Sequence, residues 1–219
     1  MRTISDENAW LRMLRLSSEL DDAIFRVLDT NGYRVFDESK RIESSFQACS
    51  VSLEHARGLR TLMAEDLPTS AIALMRLQFE ALTRCVWLLY AASDAEVGKL
   101  TAPLSTTTEK AANKLPMLAE MLTAIDGRAP PPASQMLNQF KDITAAALNS
   151  FVHGGIHAIQ RHSKGYPVPL LIQVIRNSNG LLSMTGMMFA TLAGDQELMR
   201  KMNQIQTPFR DCLPELLAR

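Results

Sequence analysis

Three charged residues stand at four-residue intervals inside an apolar run: Arg76, Glu80 and Arg84, within the segment Ala71 to Ala92. On a helix, positions i, i+4 and i+8 form one slowly drifting stripe, so a carboxylate sits between two guanidiniums. Such a trio has two chemical uses. It is a buried ion network that fixes helix register, or it is an anion site in which Glu80 orients one guanidinium and leaves the other for a phosphate or carboxylate. A second polar pattern follows in Asn149-Ser150-Phe151-Val152-His153-Gly154-Gly155-Ile156-His157. Asn149, His153 and His157 repeat the same spacing and would share one helix flank. Imidazole serves as acid, base or hydrogen-bond donor near neutral pH, which makes His153 the candidate catalytic group. The alternative is that the histidines face solvent or cap neighbouring carbonyls.

The glycine pair beside His153 narrows the options. Each Gly inside a helix costs about 1 kcal/mol relative to Ala. Gly154-Gly155 therefore marks close approach of a backbone or ligand, or a break that leaves His153 near a helix end. His153 and His157 have the spacing of a helical metal pair, with Glu80 or His162 as further ligands. Gly154, however, stands where the Glu of an H-E-x-x-H motif belongs. No metal and no cofactor is expected. Ligand binding is assigned to Arg76, Glu80, Arg84, Asn149, His153 and His157.

Helices must position these groups. Ser5 and Asp6 can cap a first helix carrying Trp10, Leu14, Leu20, Ile24 and Leu28, which Asn31-Gly32 stops. Asp37 or Ser39 opens a second, running to about Glu65. Pro68-Thr69-Ser70 starts the helix that bears Arg76, whose Ile72, Met75, Phe79, Leu82, Val86 and Leu89 form a packing seam. Because this helix is apolar almost all round, it belongs in the middle of a bundle. Leu100 to Thr108 reads as a loop, and Pro116 places the start of the next helix near Lys114. A long helix from about Ala133 to His162 carries both Asn149 and His157, with Ile156 and Ile159 on its inner face. Two more cover Val168 to Leu192 and the residues after Asp195. The chain reads as all-α, a single-domain bundle of about seven helices over residues 1–219.

Composition bounds the function. Of 219 residues, 47% are hydrophobic and 21% charged, as in globular domains, and Lys+Arg equals Asp+Glu. With no net positive field, nucleic acid would have to bind at a local patch. Cys49, Cys85 and Cys212 form neither a disulfide framework nor a metal motif, which points to the cytoplasm. The longest uncharged stretch, Asn177 to Gly194, falls short of the ~20 apolar residues of a membrane span. His55 reads as a surface residue, and Met184, Met187 and Met188 as adaptable core packing. Arg176-Asn177-Ser178-Asn179-Gly180 places polar groups inside an apolar helix, where Asn177 or Asn179 can face the interior and Gly180 can mark a kink.

The run Arg76-Leu77-Gln78-Phe79-Glu80-Ala81-Leu82-Thr83-Arg84-Cys85-Val86-Trp87-Leu88, followed by Leu148-Asn149-Ser150-Phe151-Val152-His153-Gly154-Gly155, resembles a group of bacterial helical proteins. Their recurring elements are an R-x3-E-x3-R-x2-W helix and a later S-x2-H-G segment, and the similarity runs from about Ser50 to Ala193. No biochemical role comes with this resemblance. The arrangement is also similar, at a distance, to HEPN domains, many of which are dimeric, metal-independent ribonucleases of toxin and phage-defence systems. Their signature is an Arg followed four to six residues later by a His on one helix. No Arg precedes a His at that spacing here, and Asn149 stands one turn before His153, so no catalytic pair carries over. The resemblance implies a HEPN-like core and RNA as a partner, the Arg76, Glu80 and Arg84 stripe suggests a small anionic ligand, and a homodimer through the helix seam is expected. Three functions remain open: a binding or assembly module with a polar pocket, a metal-independent ribonuclease, and a purely structural homo-oligomer.

Overall fold

The computed structural model describes residues 3–29 and 32–215. Its central feature is the antiparallel pairing of α2 (Lys40–Ala64) with α3 (Pro68–Tyr90). The inward face of α2 is built largely from small residues. Ser45, Cys49, Ser52 and Ala56 are all buried, which lets its backbone lie close to neighbouring helices. Ser52 Oγ donates to the Gln78 carbonyl of α3 at 3.1 Å and lies 3.1 Å from Thr185 Oγ1. Ser45 Oγ is buried with no hydrogen-bond partner among the described residues. The α2–α3 turn is tight. Asp66 adopts φ +54°, and Leu67 N–H reaches the Leu62 carbonyl at 2.8 Å, which closes a Schellman-type cap.

Around this pair the remaining helices are α1 (Ile4–Asp29), α4 (Asp94–Thr101), α5 (Thr106–Ala112), α6 (Leu118–Ile125), α7 (Pro131–Val152), α8 (Ile156–Lys164), α9 (Val168–Leu192) and α10 (Gln196–Ile205). A 3-10 turn follows at Arg210–Cys212. Helix α3 is the hub, contacting α2, α6, α7 and α9. Its seam residues Ile72, Met75, Phe79, Leu82 and Val86 are all buried within the one chain. Helix α9 crosses the opposite side, packed on α1, α2, α3 and α10. No described helix is long and apolar enough to cross a membrane.

The all-α, single-domain reading holds, but ten α-helices occupy the described residues where about seven were expected. Two of the extra helices, α4 and α5, are held by local caps. Ser93 and Glu96 form a reciprocal capping box, as do Ser105 and Thr108. Leu100 to Thr108 is thus mostly helix ends. Helix α6 begins at Leu118, two residues beyond Pro116. The third extra helix arises because the expected span from Ala133 to His162 is broken at Gly154-Gly155. Gly154 takes φ +62°, and Gly155 N–H bonds the Ser150 carbonyl at 2.7 Å. A Cβ on Gly155 would lie 2.6 Å from Ser150 Oγ. The break has a large effect on α8. Ile156 and Ile159, expected inside, are 66% and 65% exposed, and Ala158 on the opposite face is buried.

Smaller corrections follow the same logic. The first helix is capped by Thr3, whose Oγ1 accepts from Asp6 N–H at 3.1 Å while the Asp6 carboxylate accepts from Thr3 N–H. Asn31 lies outside the described residues, and Gly32 has φ +66°. Ser39 caps α2, with Asp37 accepting from Ser39 N–H. Gly180 does not break the helix. Helix α9 runs through it, and a Cβ there would lie 2.9 Å from Pro214, so the glycine admits the C-terminal segment.

Residues 32–39 form an irregular strap across the far end of α9. Phe36 N–H bonds the Leu192 carbonyl at 2.7 Å, and Tyr33 OH donates to the Phe189 carbonyl at 3.0 Å. Tyr33, Phe46 and Phe189 cluster with ring centroids 5.5–5.9 Å apart. Gly194, at φ +66°, leaves room for the Phe36 ring, which a Cβ would meet at 2.6 Å.

Candidate functional site

The charged stripe of α3 is half-buried. Arg76, Glu80 and Arg84 side chains are 15%, 31% and 26% exposed. Arg76 Nη1 donates to Glu80 Oε2 at 2.8 Å, a charge-assisted bond that uses one turn of helix to fix both groups. Arg84 Nη2 approaches Glu80 Oε1 at a looser 3.5 Å and makes no closer polar contact among the described residues. One carboxylate thus serves two guanidiniums, leaving one positive charge and several N–H donors uncommitted. The apolar residues beside the stripe are unequal. Trp87 and Leu88 are buried core residues, while Leu77 is 39% exposed, so the stripe opens to solvent on that side.

The second stripe reaches the first through one contact. Arg76 Nε donates to Asn149 Oδ1 at 3.0 Å, joining α3 to α7 across 73 positions of sequence. His153 closes the last turn of α7, its N–H bonding the Asn149 carbonyl at 3.1 Å, and its side chain is exposed. His153 therefore stands at the end of the same helix as Asn149, beyond the last helical residue. The Gly154-Gly155 break takes His157 off that flank. His157 lies in the first turn of α8, exposed, its N–H held by Ser150 Oγ at 2.9 Å. The break also accounts for the glycine pair without a ligand, since left-handed φ at Gly154 and crowding at Gly155 suffice. Among the described residues no group of three His, Cys, Asp or Glu is placed to hold a metal ion. His55 is half-buried rather than on the surface, and burial holds its imidazole below the ordinary 6.5.

Two concavities among the described residues lie elsewhere. One, of about 930 Å³, adjoins the strap at Tyr33 and Phe46. The other, about 170 Å³, lies between Arg12, Arg176 and Asp211 over a floor of Met13, Leu16 and Ile172. There Arg12 pairs with Asp211 at 2.7 Å and Arg176 Nε donates to the Asp211 carbonyl at 3.2 Å.

Two polar constellations escape a reading by motif. Asp21, with its side chain 5% exposed, accepts from Arg57 Nε at 3.0 Å and from Arg60 Nη2 at 2.5 Å, and Arg57 lies 4.1 Å above the Phe25 ring. The available signal was a carboxylate at a core position of α1, flanked in helical period by Ser17, Leu20, Ile24 and Leu28. The second constellation serves α9. Ser178 Oγ donates to Gln78 Oε1 at 2.7 Å while Gln78 Nε2 donates to the Ser178 carbonyl at 3.0 Å. One residue on, Ser17 Oγ donates to Asn179 Oδ1 at 2.6 Å and Asn179 Nδ2 to the Cys212 carbonyl at 2.9 Å. Asn179 is thus an internal clamp, whereas Asn177 bonds Gln173 at the surface.

No curated protein and no solved structure matches this chain. One family pattern does, and it begins next to Ser50 and runs past Ala193, taking in both polar stripes. Matching over residues 49–215, the chain belongs to DUF6988, a family of unknown function.

Proposed function

We propose that this chain is a non-catalytic binding or assembly protein that takes a small anionic group at Arg76, Glu80, Arg84, Asn149 and His153. The observation that carries the reading is the 3.0 Å bond from Arg76 to Asn149, because it joins two polar stripes from separate helices at one half-buried place. A purely structural ion network would close its charges. Here Glu80 serves both guanidiniums and holds Arg84 only at 3.5 Å, so Arg84 retains donors for a phosphate or carboxylate oxygen. Half-burial strengthens such a contact relative to open water without requiring full desolvation of the ligand.

The test is a calorimetric titration with inorganic pyrophosphate. Binding is expected in the wild type, lost in Arg84→Ala, and retained in Arg161→Ala, which changes the same net charge elsewhere. Absence of binding, or equal loss in both variants, refutes the site. A second reading, a HEPN-like metal-independent ribonuclease, is supported by the exposure of His153 one turn from the asparagine that holds Arg76. There His153 would act as acid or base and an arginine would stabilise charge on phosphate. Cleavage of RNA in excess EDTA that His153→Ala abolishes would favour it over simple binding.

A further inference from the structure

Helix α8 faces the wrong way for a core helix. At 100° per residue Ile156 and Ile159 share a face and Ala158 opposes them. It is Ala158 that packs on the protein, while both isoleucines are about two-thirds exposed. Val152, at the end of α7, adds a further exposed apolar side chain. His157, His162 and Lys164 flank this face while Arg161 stands further round on the Ala158 side; all four are exposed, and neither Arg161 nor Lys164 meets a carboxylate among the described residues. Residues 143–194 contain no Asp or Glu at all. Packing α8 against the α8 of another copy would bring like charges together with nothing to pair them.

The opposite chemistry lies at the other end of the molecule. The open cavity of about 930 Å³ beside the strap has Tyr33 and Phe46 in its wall, and its charges are Asp37, Glu38 and Glu43 against one cation, Arg34. The Asp37 carboxyl is held below the usual range by hydrogen bonds from Ser39, so it stays ionised. Phe36, 72% exposed, extends the apolar surface of this end. Helix α9 separates the two faces. Helix α8 leads into its first residue, the strap bonds its last, and its 25 residues span roughly 37 Å.

We infer that α8 of one copy docks into the strap cavity of the next, so that the chain self-associates head to tail. Ile156 and Ile159 enter the apolar part of the cavity, and Lys164, on the flank of that face, meets Glu38 and Glu43 at its rim. One turn of helix carrying two isoleucines matches a cavity better than a bilayer, which calls for a longer apolar face. Because the two surfaces differ, the contact is heterologous and grows into a ring or an open filament instead of stopping at a two-fold dimer. The inference rests on the assembly part of the proposed function but on none of its anion-site residues.

The experiment is sedimentation velocity on the full chain across a wide concentration series. The wild type is expected to form species larger than a dimer as concentration rises. Ile156→Asp/Ile159→Asp removes the docking helix and Glu38→Lys/Glu43→Lys removes the cavity rim. Each variant alone is expected to remain folded and monomeric, since all four residues are exposed. Mixed in equal amounts, the two variants are expected to form a one-to-one dimer that grows no further, because each supplies the surface the other lacks. A wild type that stays monomeric throughout, a single variant that still associates, or a mixture that stays monomeric overturns the inference. The pyrophosphate titration at Arg84 is independent of all three results, so failure here leaves the anion site standing and the converse also holds.

Discussion

The Gln78–Ser178 pair offers a sharp test of what anchors α9. Both residues are buried, and each supplies a donor and an acceptor to the other, at 2.7 and 3.0 Å. Ser178→Ala leaves Gln78 Oε1 without a donor in a place water does not reach, which costs about 2 kcal/mol. Gln78→Met keeps the volume and strands the serine hydroxyl, while the Ser178 carbonyl, inside α9, has the helix's own N–H to fall back on. That hydroxyl has a fallback, because Ser183 and Thr185 on the same helix already donate to carbonyls one turn back. The expected loss is therefore smaller, about 1 kcal/mol. Removing both partners leaves nothing stranded, so the double variant should lose about 1 kcal/mol instead of the sum of about 3. In a chain of this size the serine variant should melt about 4–8 °C lower. Urea unfolding followed by circular dichroism gives the four free energies, with unchanged m-values as the check on two-state behaviour. Additive losses in the double variant, or a near-neutral Ser178→Ala, would refute the argument.

Other outcomes follow from single features. Gly154→Ala places a Cβ residue at φ +62° with open space around it, so the loss should be a pure backbone cost of about 1–2 kcal/mol, readable by urea unfolding. All three thiols are buried, and burial pushes Cys212 up to about 11 and Cys49 well above its ordinary value. The native chain should therefore leave a colourimetric disulfide reagent unreacted, with all three thiols appearing only on denaturation. Burial lowers the His55 value, so the folded chain takes up that proton less readily than the unfolded one. Stability should be full above 6.5 and fall as pH drops through that value toward the folded one. His55→Gln should flatten that part of a melting-temperature profile.

Several local physical signals in the sequence hold in the structure, although Thr3 stands in for Ser5 at the start of α1 and α6 begins beyond Pro116. Ser39 and Asp195 cap α2 and α10, and Pro68 opens α3, because capping and proline effects act within one turn. The Arg76–Glu80 pair was legible for the same reason. The capping box at Ser93 and Glu96 was equally present but easy to pass over, since α4 buries only Val97 and shows no long apolar period. Asn149 reaching Arg76, Asp21 meeting Arg57 and Arg60, and Gln78 pairing with Ser178 are decided by tertiary packing and leave no mark in local spacing. Helix α8 is the instructive miss. Its isoleucines continue the inward period of α7, and one left-handed glycine rotates that period out to solvent.

The distance in sequence between α3 and α9 has a consequence for how the chain is made. The α2–α3 hairpin is complete at Tyr90, yet the inner face it offers is closed by α9, whose Ser178 pairs with Gln78 across 100 positions. At roughly 5–20 residues per second on a ribosome, the apolar groove of the hairpin waits about 5–20 s for its cover. Helices α4 to α8 emerge in that interval, and of these α6 and α7 pack on α3 and cover only part of the surface. The nascent hairpin is thus the segment of this protein most in need of a holding chaperone, and a stall between α3 and α9 is the event most apt to make it aggregate.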